Sequence, residues 1–459
     1  METWDDVSDD LKEYLWDRTY STISSDKENG LDSKKEILGR IFNNLSKPPK
    51  YTVVRINTLQ CSIAEAKSSL QNYLEQEYPY GSGQSFNATG HPHIPDILLV
   101  SAVDVSSKPK ECPNEVIVGC QCGTAVLRGA HVFAPGVIAA PIGMKRGDVV
   151  SVYSDVDGQC RKGLTKKFGG RKIFVGNGRA ELARNEIFCV DTAPSGIAVS
   201  MTEPLYPLPS LNGYSSHCAF LQNLPSVVTS HALAPRPGET ILDMCAAPGG
   251  KTTHIAQIMQ DKGVIFALDK SKPKIDKIIR NIQNLNLTSI KPFLWDATKA
   301  ICDVEGKKEL DKPPFAAGTF DRILLDGPCS ALGQRPQHSL IRKSRQELES
   351  FPIYQRKLLN TAVRLLKTGG TLVYSTCTIP SEENERQVAW ALDKFPCLQL
   401  VKQDIHIGGF GLANCGLSEE QRRLVQRFDP LDIDKQCRPP TDCDTIGFFI
   451  AKFYKKETT

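Results

Sequence analysis

The stretch that decides the fold reads Asp321-Arg322-Ile323-Leu324-Leu325-Asp326-Gly327-Pro328-Cys329-Ser330. Its apolar run has the length and composition of a buried parallel strand. A second stretch of this kind, after a segment long enough for a helix, is Thr371-Leu372-Val373-Tyr374-Ser375-Thr376-Cys377-Thr378. Strand, helix and strand in succession predict two parallel strands, which are often neighbours in the sheet. Because the carboxyl ends of such strands open into the ligand-binding crevice, we expect Cys329 and Cys377 to lie together there.

Two thiols at one crevice indicate covalent chemistry. One sulfur would act as a nucleophile, and the other, a few ångströms away, would act as a proton acceptor. A free cysteine is more often a small buried hydrophobe, and this interpretation stays open for each thiol taken alone. The presence of both thiols at neighbouring strand ends favours the catalytic interpretation.

The alternation of strand and helix extends over residues 204–459 and predicts an α/β fold with a Rossmann-like core. Helices are expected to begin near Thr252, Pro273, Phe351 and Ser381. The expected strands are 240–243, 264–269, 290–296, 321–326 and 371–376, with a last pair near 398–401 and 447–453.

The first 203 residues predict two further units. Residues 1–110 read as an N-terminal α/β segment that packs on the core, with helix over 1–50, strand 51–57, helix 63–74 and strand 97–100. Residues 111–203 change to short strands between glycine turns, which is typical of a small β-barrel. The strands of this barrel are expected at 115–119, 124–127, 148–153 and 172–175.

Composition excludes several classes of protein. The chain has 459 residues, 40% of them hydrophobic and 24% charged, as expected for a globular protein of two to four domains. No apolar run could span a membrane and no signal peptide is apparent, so we expect a cytoplasmic protein. Fifteen scattered cysteines without paired CxxC spacing favour reduced thiols and no metal site. Nothing in the sequence indicates more than a monomer.

A basic segment lies in the barrel region, between residues 159 and 184. It has eight basic residues against one acid, with Phe168 and Phe174 among them. Such clustering is the electrostatic footprint of a polyanion such as RNA, although a solvated charged loop is the alternative interpretation. The basic residues are Arg161, Lys162, Lys166, Lys167, Arg171, Lys172, Arg179 and Arg184.

A loop of small residues follows the first core strand, at Cys245-Ala246-Ala247-Pro248-Gly249-Gly250-Lys251-Thr252. Small residues let the backbone approach a ligand closely. The loop ends like a phosphate loop, but an ATPase would need glycine where Cys245 stands.

Acids end the next three strands, at Asp269, Asp296 and Asp326. Asp269 lies about 20 residues beyond the glycines, where an acid binds ribose hydroxyls in Rossmann-like sites. A helix-capping role is the alternative for each of these acids. A nucleoside that bears a cationic sulfonium would suit such an acidic rim, so the pattern favours S-adenosyl-L-methionine over a dinucleotide.

Three segments in this order, CAAPGGKT, LLDGPCSALG and YSTCT, resemble the motifs of the Sun-domain (NSUN, Fmu-like) RNA cytosine-5 methyltransferases. Segments 55–59, 221–226 and 447–452 are similar to the same family. The barrel, with segments 127–132 and 147–150, resembles a PUA RNA-binding domain. A PUA domain before the core resembles the sixth, PUA-containing subgroup of the family. That subgroup acts on a cytosine near the 3′ acceptor end of certain tRNAs and on CUCCA-like sites in mRNA loops.

The resemblance implies a role for each matching residue. Cys377 would be the nucleophile and Cys329 would release the product, assisted by Lys251 and Asp326. Gly327 stands where the family usually has alanine, which would loosen Cys329 and slow release. The residues that would hold the cofactor or the cytosine are Cys245, Ala246, Ala247, Pro248, Gly249, Gly250, Lys251, Asp269, Asp296 and Asp326. The residues that would bind RNA are Arg128, Arg161, Lys162, Lys166, Lys167, Arg171 and Lys172.

The chemistry explains why two thiols are needed. Carbon 5 of cytosine is a weak nucleophile until a thiolate adds at carbon 6 and makes an enamine. Lys251 would favour the Cys377 thiolate, and Asp326 would hydrogen-bond the base edge. Two alternatives stay open: an RNA-binding adaptor with an inactive core, and a methyltransferase that acts on DNA or protein. The basic barrel favours RNA.

Overall fold

The computed structural model describes residues 7–21, 30–78, 85–103, 108–189, 193–214, 217–302, 311–337, 343–433 and 439–457. The helices, numbered along the chain, are α1 (Asp9–Leu15), α2 (Gly30–Leu45), α3 (Ile63–Glu77), α4 (Cys120–Val126), α5 (Arg184–Ile187), α6 (Leu224–Leu233), α7 (Gly250–Ile258), α8 (Lys272–Asn284), α9 (Arg345–Leu365), α10 (Glu385–Lys394) and α11 (Glu419–Arg422).

The strands form three sheets within these residues. They are β1 (Tyr51–Ile56), β2 (Ala88–Gly90), β3 (Ile97–Ser101), β4 (Glu115–Gly119), β5 (Val132–Phe133), β6 (Val137–Ala139), β7 (Val149–Asp155), β8 (Lys172–Ala180), β9 (Ile197–Pro204), β10 (Ala219–Leu221), β11 (Thr240–Asp243), β12 (Val264–Asp269), β13 (Ile290–Leu294), β14 (Phe320–Asp326), β15 (Leu366–Thr376), β16 (Leu398–Leu400), β17 (Gln426–Phe428) and β18 (Phe448–Lys455).

The largest sheet has eight strands and a parallel centre. Its order is β13-β12-β11-β14-β15-β18-β16, and β17 also pairs with β18. The chain moves outward from β11 to β13 and then returns to the other side of β11 for β14. The strand order therefore reverses between β11 and β14, where a doubly wound sheet opens its ligand crevice. The predicted α/β fold is confirmed.

Both faces of this sheet are buried, which explains the continuous apolar runs of its strands. One face packs on α9 and α10 through residues such as Ile323, Leu325 and Phe449. The other face packs on α6, α7 and α8 through residues such as Leu324 and Ile450. Alternate residues of β14 thus belong to opposite cores, and the end of the strand is held at a defined depth.

The N-terminal sheet, in the order β10-β1-β3-β2, is tied to α6 and α7 by buried polar groups. Arg55 of β1 is fully buried and donates to the Gly250 carbonyl at 2.5 Å and to Thr253 at 3.0 Å. Asp96, just before β3, is joined to His231 of α6 at 2.9 Å and to His254 of α7 at 2.7 Å. These contacts hold the start of α7 against the N-terminal sheet.

The trio of Asp96, His231 and His254 has the donor types of a metal site. Burial lowers the pKa of Arg55 to about 9, and the charge of Asp96 opposes this shift. The carboxylate therefore already balances a buried cation. Together with its two imidazole contacts, this gives Asp96 a structural role.

The middle unit is a six-stranded sheet in the order β5-β9-β8-β7-β4-β6, folded around its own apolar core. The strand expected at 124–127 is wrong, because this segment belongs to α4. A side chain at Gly123 would meet Ser154 of β7 at 2.3 Å, so glycine lets α4 lie directly on the sheet. The sequence pattern also missed the short strands β5 and β6 and the longer β9.

Other boundaries moved by a few residues. β13 ends at Leu294 rather than 296, and β15 already begins at Leu366. α9 begins at Arg345, before the expected Phe351, because Ser344 caps it and Pro352 is accommodated inside the helix.

Two expectations from composition can be compared with the structure. No helix among the described residues is long and apolar enough to cross a bilayer. Thirteen of the described cysteines are free thiols, but Cys443 is disulfide-bonded, contrary to the expectation that all would be reduced.

Candidate active site at the carboxyl edge of the sheet

The two thiols of the sequence motifs meet at the ends of neighbouring parallel strands. β14 and β15 pair with Asp326 opposite Ser375, so the segments that follow them leave the sheet side by side. The Sγ atoms of Cys329 and Cys377 are 3.4 Å apart, and both residues are half-buried. The expected thiol pair is therefore present.

Hydrogen bonds between the two loops hold the sulfurs together. The hydroxyls of Ser330 and Thr378, each following one of the cysteines, are 2.6 Å apart. The Gly333 amide donates to the Cys377 carbonyl at 3.1 Å. The cysteines thus lie on two backbone segments that are hydrogen-bonded to each other.

Gly327, two residues before Cys329, does not require glycine. Its φ is not positive, and an added Cβ would meet only Leu325 and Gln355 at 3.8 Å. Alanine would fit without strain. The effect of glycine on this loop is therefore confined to the extra freedom of its backbone.

The environments of the two thiols push their pKa values in opposite directions. The hydrogen bond from Cys329 lowers the pKa of Cys377, Gln334 and Lys251 lower it further, and burial and Asp326 oppose them. The same hydrogen bond, together with burial, raises the pKa of Cys329 well above its ordinary value. Cys377 is therefore the sulfur that ionises first, and Cys329 keeps the proton. Only a thiolate is a strong nucleophile.

Lys251 and Asp326 form an ion pair beside the thiols. The Lys251 ammonium donates to Asp326 Oδ2 at 2.7 Å, and the Ser375 hydroxyl donates to Asp326 Oδ1 at 2.6 Å. The ammonium also lies 5.1 Å from the centre of the Phe448 ring. Both oxygens of Asp326 are thus held in place, and each keeps a lone pair for a ligand.

A cavity of about 510 Å³ opens onto this group. Its wall includes Lys251, Asp326 and Cys377 and, from the loop of small residues, Cys245, Ala246, Ala247, Pro248 and Gly250. Gly249 has a φ of +102° at the start of α7, a conformation that glycine adopts without strain. The volume is within the range of small-molecule sites.

Two of the predicted acids lie away from this wall. Asp269 is buried at the end of β12, where its side chain accepts from the Ser271 amide at 3.0 Å. Asp296 follows β13 and accepts from the Thr298 amide at 3.0 Å. Asp296 therefore has the capping contact of the alternative interpretation, whereas Ser271, not Asp269, is the N-cap of α8. The pKa of Tyr354 is raised mainly by burial. Asp296, Cys245 and Asp269 raise it further, so all three lie near this tyrosine.

The residues present fit a cationic nucleoside cofactor. Asp243, buried at the end of β11, accepts from Thr252 at 2.7 Å, and its Oδ1 has no hydrogen-bond partner among the described groups. Burial raises the pKa of Asp243 to about 7. Asp243 and Asp326 lie on the cavity wall at the ends of β11 and β14, where a sulfonium charge would favour their ionised forms.

Sequence reasoning missed four residues of this region. Asp243, Gln222 and Gln334 line the cavity, and Glu383 lies buried behind Cys329. Asp243 ends a strand as the predicted acids do, so that pattern could have found it. Nothing in a local pattern marks Gln334 or Glu383, because their roles depend on contacts across loops.

The basic candidates of the barrel divide into two groups. Arg161, Lys162 and Lys166 are exposed. Lys167 and Lys172 contact Glu115, and Arg171 pairs with Asp157 at 2.9 Å. Arg128 lies apart from both groups, because it donates to the Arg335 carbonyl at 2.9 Å and lines the cavity.

The fold and the thiol pair together define a class of protein, an α/β methyltransferase with two cysteines at its catalytic edge. Comparison with known proteins agrees. The family profile described as 16S rRNA methyltransferase RsmB/F matches residues 230–454. The human tRNA (cytosine(72)-C(5))-methyltransferase NSUN6 is 48% identical over 91% of each chain. The tRNA (cytosine(72)-C(5))-methyltransferase of Pyrococcus horikoshii is 34% identical over 92% of this chain and 93% of its own.

A solved structure matches over nearly the whole length. The crystal structure of NSun6 from Pyrococcus horikoshii with SFG, an analogue of S-adenosylmethionine, has a TM-score of 0.73 and 31% identity. The match covers 98% of this chain and 99% of that one. The chain belongs to the NSUN (Sun-domain) family. It is an RNA cytosine-C5 methyltransferase whose methyl donor is S-adenosyl-L-methionine.

Proposed function

We propose that the enzyme forms 5-methylcytosine in tRNA near the 3′ acceptor end, and in CUCCA-like sites of mRNA, through a covalent Cys377 adduct that Cys329 resolves. The tRNA assignment is supported by relatives named for cytosine 72 that match over most of both chains. The observation that carries the mechanism is the 3.4 Å separation of two sulfurs with opposite pKa shifts.

Cys377 begins the reaction in this proposal. Its thiolate adds to carbon 6 of cytosine, and the ring becomes an enamine whose carbon 5 is nucleophilic. Asp326, held by Lys251 and Ser375, hydrogen-bonds the base edge as charge builds on the ring. The cofactor supplies the methyl group to carbon 5. Cys329 then removes the proton from carbon 5, and the bond between Cys377 and carbon 6 breaks.

The cofactor is assigned to the loop of small residues and the acidic strand ends. The loop from Cys245 to Lys251 would lie against the methionine and sulfonium portion, next to Asp326. Asp269, near the position where an acid binds ribose in Rossmann-like sites, would face the nucleoside with Asp296. Asp269 ends β12 and Asp296 follows β13, and these strands are neighbours in the sheet, which supports placing the two acids on one side of the cofactor.

We assign RNA docking to the barrel, as a PUA domain over residues 111–203, with residues 1–110 and 204–459 as the other two units. The six-stranded sheet and the exposed cations Arg161, Lys162 and Lys166 support this assignment. The target base must leave its stack to reach Cys377, which favours a helix end or a loop. An inactive RNA-binding adaptor is less well supported, because both thiols and the Lys251–Asp326 pair are intact.

The test is a denaturing gel with RNA and cofactor. Cys329→Ala should accumulate a protein–RNA adduct, because Cys377 still adds but release is blocked. Cys377→Ala should form no adduct and no 5-methylcytosine, and Cys415→Ala, a buried thiol elsewhere, should behave as wild type. Normal methylation by both Cys329→Ala and Cys377→Ala would refute the proposed mechanism.

A further inference from the structure

Glu383 is a buried acid that the mechanism above does not use. It lies in the segment after β15, and its side chain is fully shielded from solvent. Burying a carboxylate is costly unless hydrogen bonds or a charge compensate for it. Its contacts therefore indicate what it does.

Glu383 and Gln355 hold the residues on either side of Cys329. Glu383 Oε2 accepts from the Ser330 amide at 2.9 Å. Gln355 of α9 donates to the Pro328 carbonyl at 3.0 Å and to Glu383 Oε2 at 2.9 Å. The backbone is thus held immediately before and immediately after Cys329, and both contacts converge on one carboxylate.

The other oxygen of Glu383 is available. Within the described part of the chain, no group makes a hydrogen bond to Glu383 Oε1. Burial raises the pKa of Glu383 to about 7, with opposition from Ser330, Gln355 and Lys343. Such a group changes protonation near neutral pH, as a proton acceptor should.

Other titratable groups face Glu383 from the elements packed around it. Tyr374 of β15 donates its hydroxyl to the Glu383 carbonyl at 2.6 Å. The charge of Glu383, after burial, raises the pKa of Tyr14 in α1, so this phenol stays neutral. Lys343 donates to the Ser330 carbonyl. On the catalytic side, Cys329 faces Glu383. The pKa of Cys329 is raised mainly by Cys377 and by burial, and the charge of Glu383 raises it further.

The release step leaves a proton unaccounted for. In the resting pair Cys329 carries the proton that it shares with the Cys377 thiolate. Once Cys377 is bonded to carbon 6, Cys329 must lose this proton before it can take another from carbon 5. Asp326 is paired with the Lys251 ammonium and is assigned to the base edge, whereas Glu383 Oε1 has no hydrogen-bond partner among the described residues and the charge of Glu383 acts on Cys329.

We propose that Glu383 is the positioning residue of the release step, which holds the Cys329 loop and takes up the resting proton of Cys329. The thiol proton moves from Cys329 to the Glu383 carboxylate, leaving a thiolate and a carboxylic acid. The thiolate then removes the carbon 5 proton, and the electron pair of that bond restores the ring as the Cys377–carbon 6 bond breaks. Cys377 leaves as a thiolate, Cys329 is again a thiol, and Glu383 returns one proton to solvent.

The experiment uses Glu383→Gln in the full-length enzyme with RNA and cofactor. The amide oxygen can still accept from Ser330 and Gln355, but the proton acceptor is removed. We expect the methylated adduct to form at a near-normal rate and to decay about tenfold more slowly or worse, in line with removal of one general base. Glu382→Gln is the matched control, because the half-buried Glu382 pairs with Arg18 and should leave decay unchanged.

The wild-type enzyme provides a second measurement that needs no variant. Adduct decay should accelerate as pH rises from about 6 to about 8, because Glu383 ionises in this window, and Glu383→Gln should flatten the profile. A flat wild-type profile, or Glu383→Gln decay at the wild-type rate, would overturn the inference. The inference rests on the proposed thiol roles. If Cys329→Ala and Cys377→Ala both methylate normally, the proposed mechanism and this inference fail together. If the cysteine variants behave as expected but Glu383→Gln decays at the wild-type rate, only this inference fails.

Discussion

At the scale of single residues, the site works through an asymmetry between two chemically identical thiols. The hydrogen bond from Cys329 lowers the pKa of Cys377, and the side chain of Gln334, which lines the same cavity, lowers it further. Cys329, which donates that bond, has its pKa raised. A hydrogen bond to a charged group stabilises it by about 1.5–3 kcal/mol, so each donor at the sulfur changes the thiolate fraction measurably.

Gln334→Ala should weaken the nucleophile. Loss of its side-chain amide raises the pKa of Cys377, so less thiolate is present near neutral pH. We expect adduct formation at about pH 7 to slow by about tenfold, since a tenfold effect corresponds to about 1.4 kcal/mol. The rate should recover as the pH is raised, because the Cys377 thiol then ionises without the Gln334 amide. Rapid-quench measurement of adduct formation against pH tests this.

Gln337→Ala is the control for Gln334→Ala. Gln337 lies in the same loop, but its amide donates to the Ala331 carbonyl at 3.1 Å, and it is not among the groups that shift the pKa of Cys377. It should leave the pH profile in place. A uniform loss of rate for Gln334→Ala at every pH would assign Gln334 a structural role.

At the scale of elements, the beginning of α7 is positioned by the N-terminal sheet and α6. Asp96 links His231 and His254, and Arg55 binds the Gly250 carbonyl, so residues far apart in the chain support the loop of small residues. Sequence patterns predicted β1, β3, α3 and α7 of this region. They did not predict β2, β10 or α6, nor that β10, which follows the barrel, would pair with β1.

The Asp96 cluster should make stability depend on acid. Burial lowers the pKa of His254 to about 4, below its ordinary value of 6.5. The unfolded chain therefore binds more protons between these values, and stability falls as pH drops from 6.5 toward 4. The complete loss is up to about 3 kcal/mol. The pKa of Asp96 is also lowered, but the stability that Asp96 contributes is lost only as the pH falls below about 3.8, its ordinary pKa.

Urea unfolding at about pH 7 and about pH 5 measures this loss. His254→Gln should be less stable than wild type at neutral pH and should lose less stability on acidification. His93→Gln, a change at an exposed histidine, should keep the wild-type acid dependence. An unchanged acid dependence in His254→Gln would show that other groups control it.

At the scale of the whole molecule, the barrel and the core meet along the cavity that leads to Cys377. Arg128 of the barrel donates to the Arg335 carbonyl, and Arg335 is buried with Asp444 at 2.7 Å. The wall of the cavity therefore includes groups from both units.

Neutralising Arg161, Lys162 and Lys166 to glutamine should raise KM for RNA more than it lowers kcat. Each phosphate that a cation neutralises contributes about 0.9 to the logarithmic salt dependence of duplex binding, so removing one such interaction should reduce the slope by roughly one. Lys67, Lys277 and Arg280, exposed outside the barrel, provide a triple control variant with the same change in charge. Equal RNA affinity and salt slope in both triple variants would move the docking surface elsewhere.

The sequence determined the parallel core, the loop of small residues and the adjacency of Cys329 and Cys377, because strand periodicity and strand-end position are local properties. It did not determine α4, since the short run Thr124-Ala125-Val126-Leu127 fits helix or strand until Gly123 meets Ser154. It also assigned Lys167, Arg171 and Lys172 to RNA binding, although Glu115 and Asp157 partly neutralise these cations.

The family resemblance already gave Cys377 as the nucleophile, but only the tertiary structure showed the hydrogen bond that lowers its pKa and the buried acid that holds the Cys329 loop. Both depend on burial and on neighbours from other elements: Cys377 is 48 residues from Cys329, and Glu383 is 53 residues from Ser330. Electrostatic energies are set by distance and desolvation through space. A one-dimensional pattern can bring reactive groups to one edge of a sheet, but only packing assigns them their protonation states.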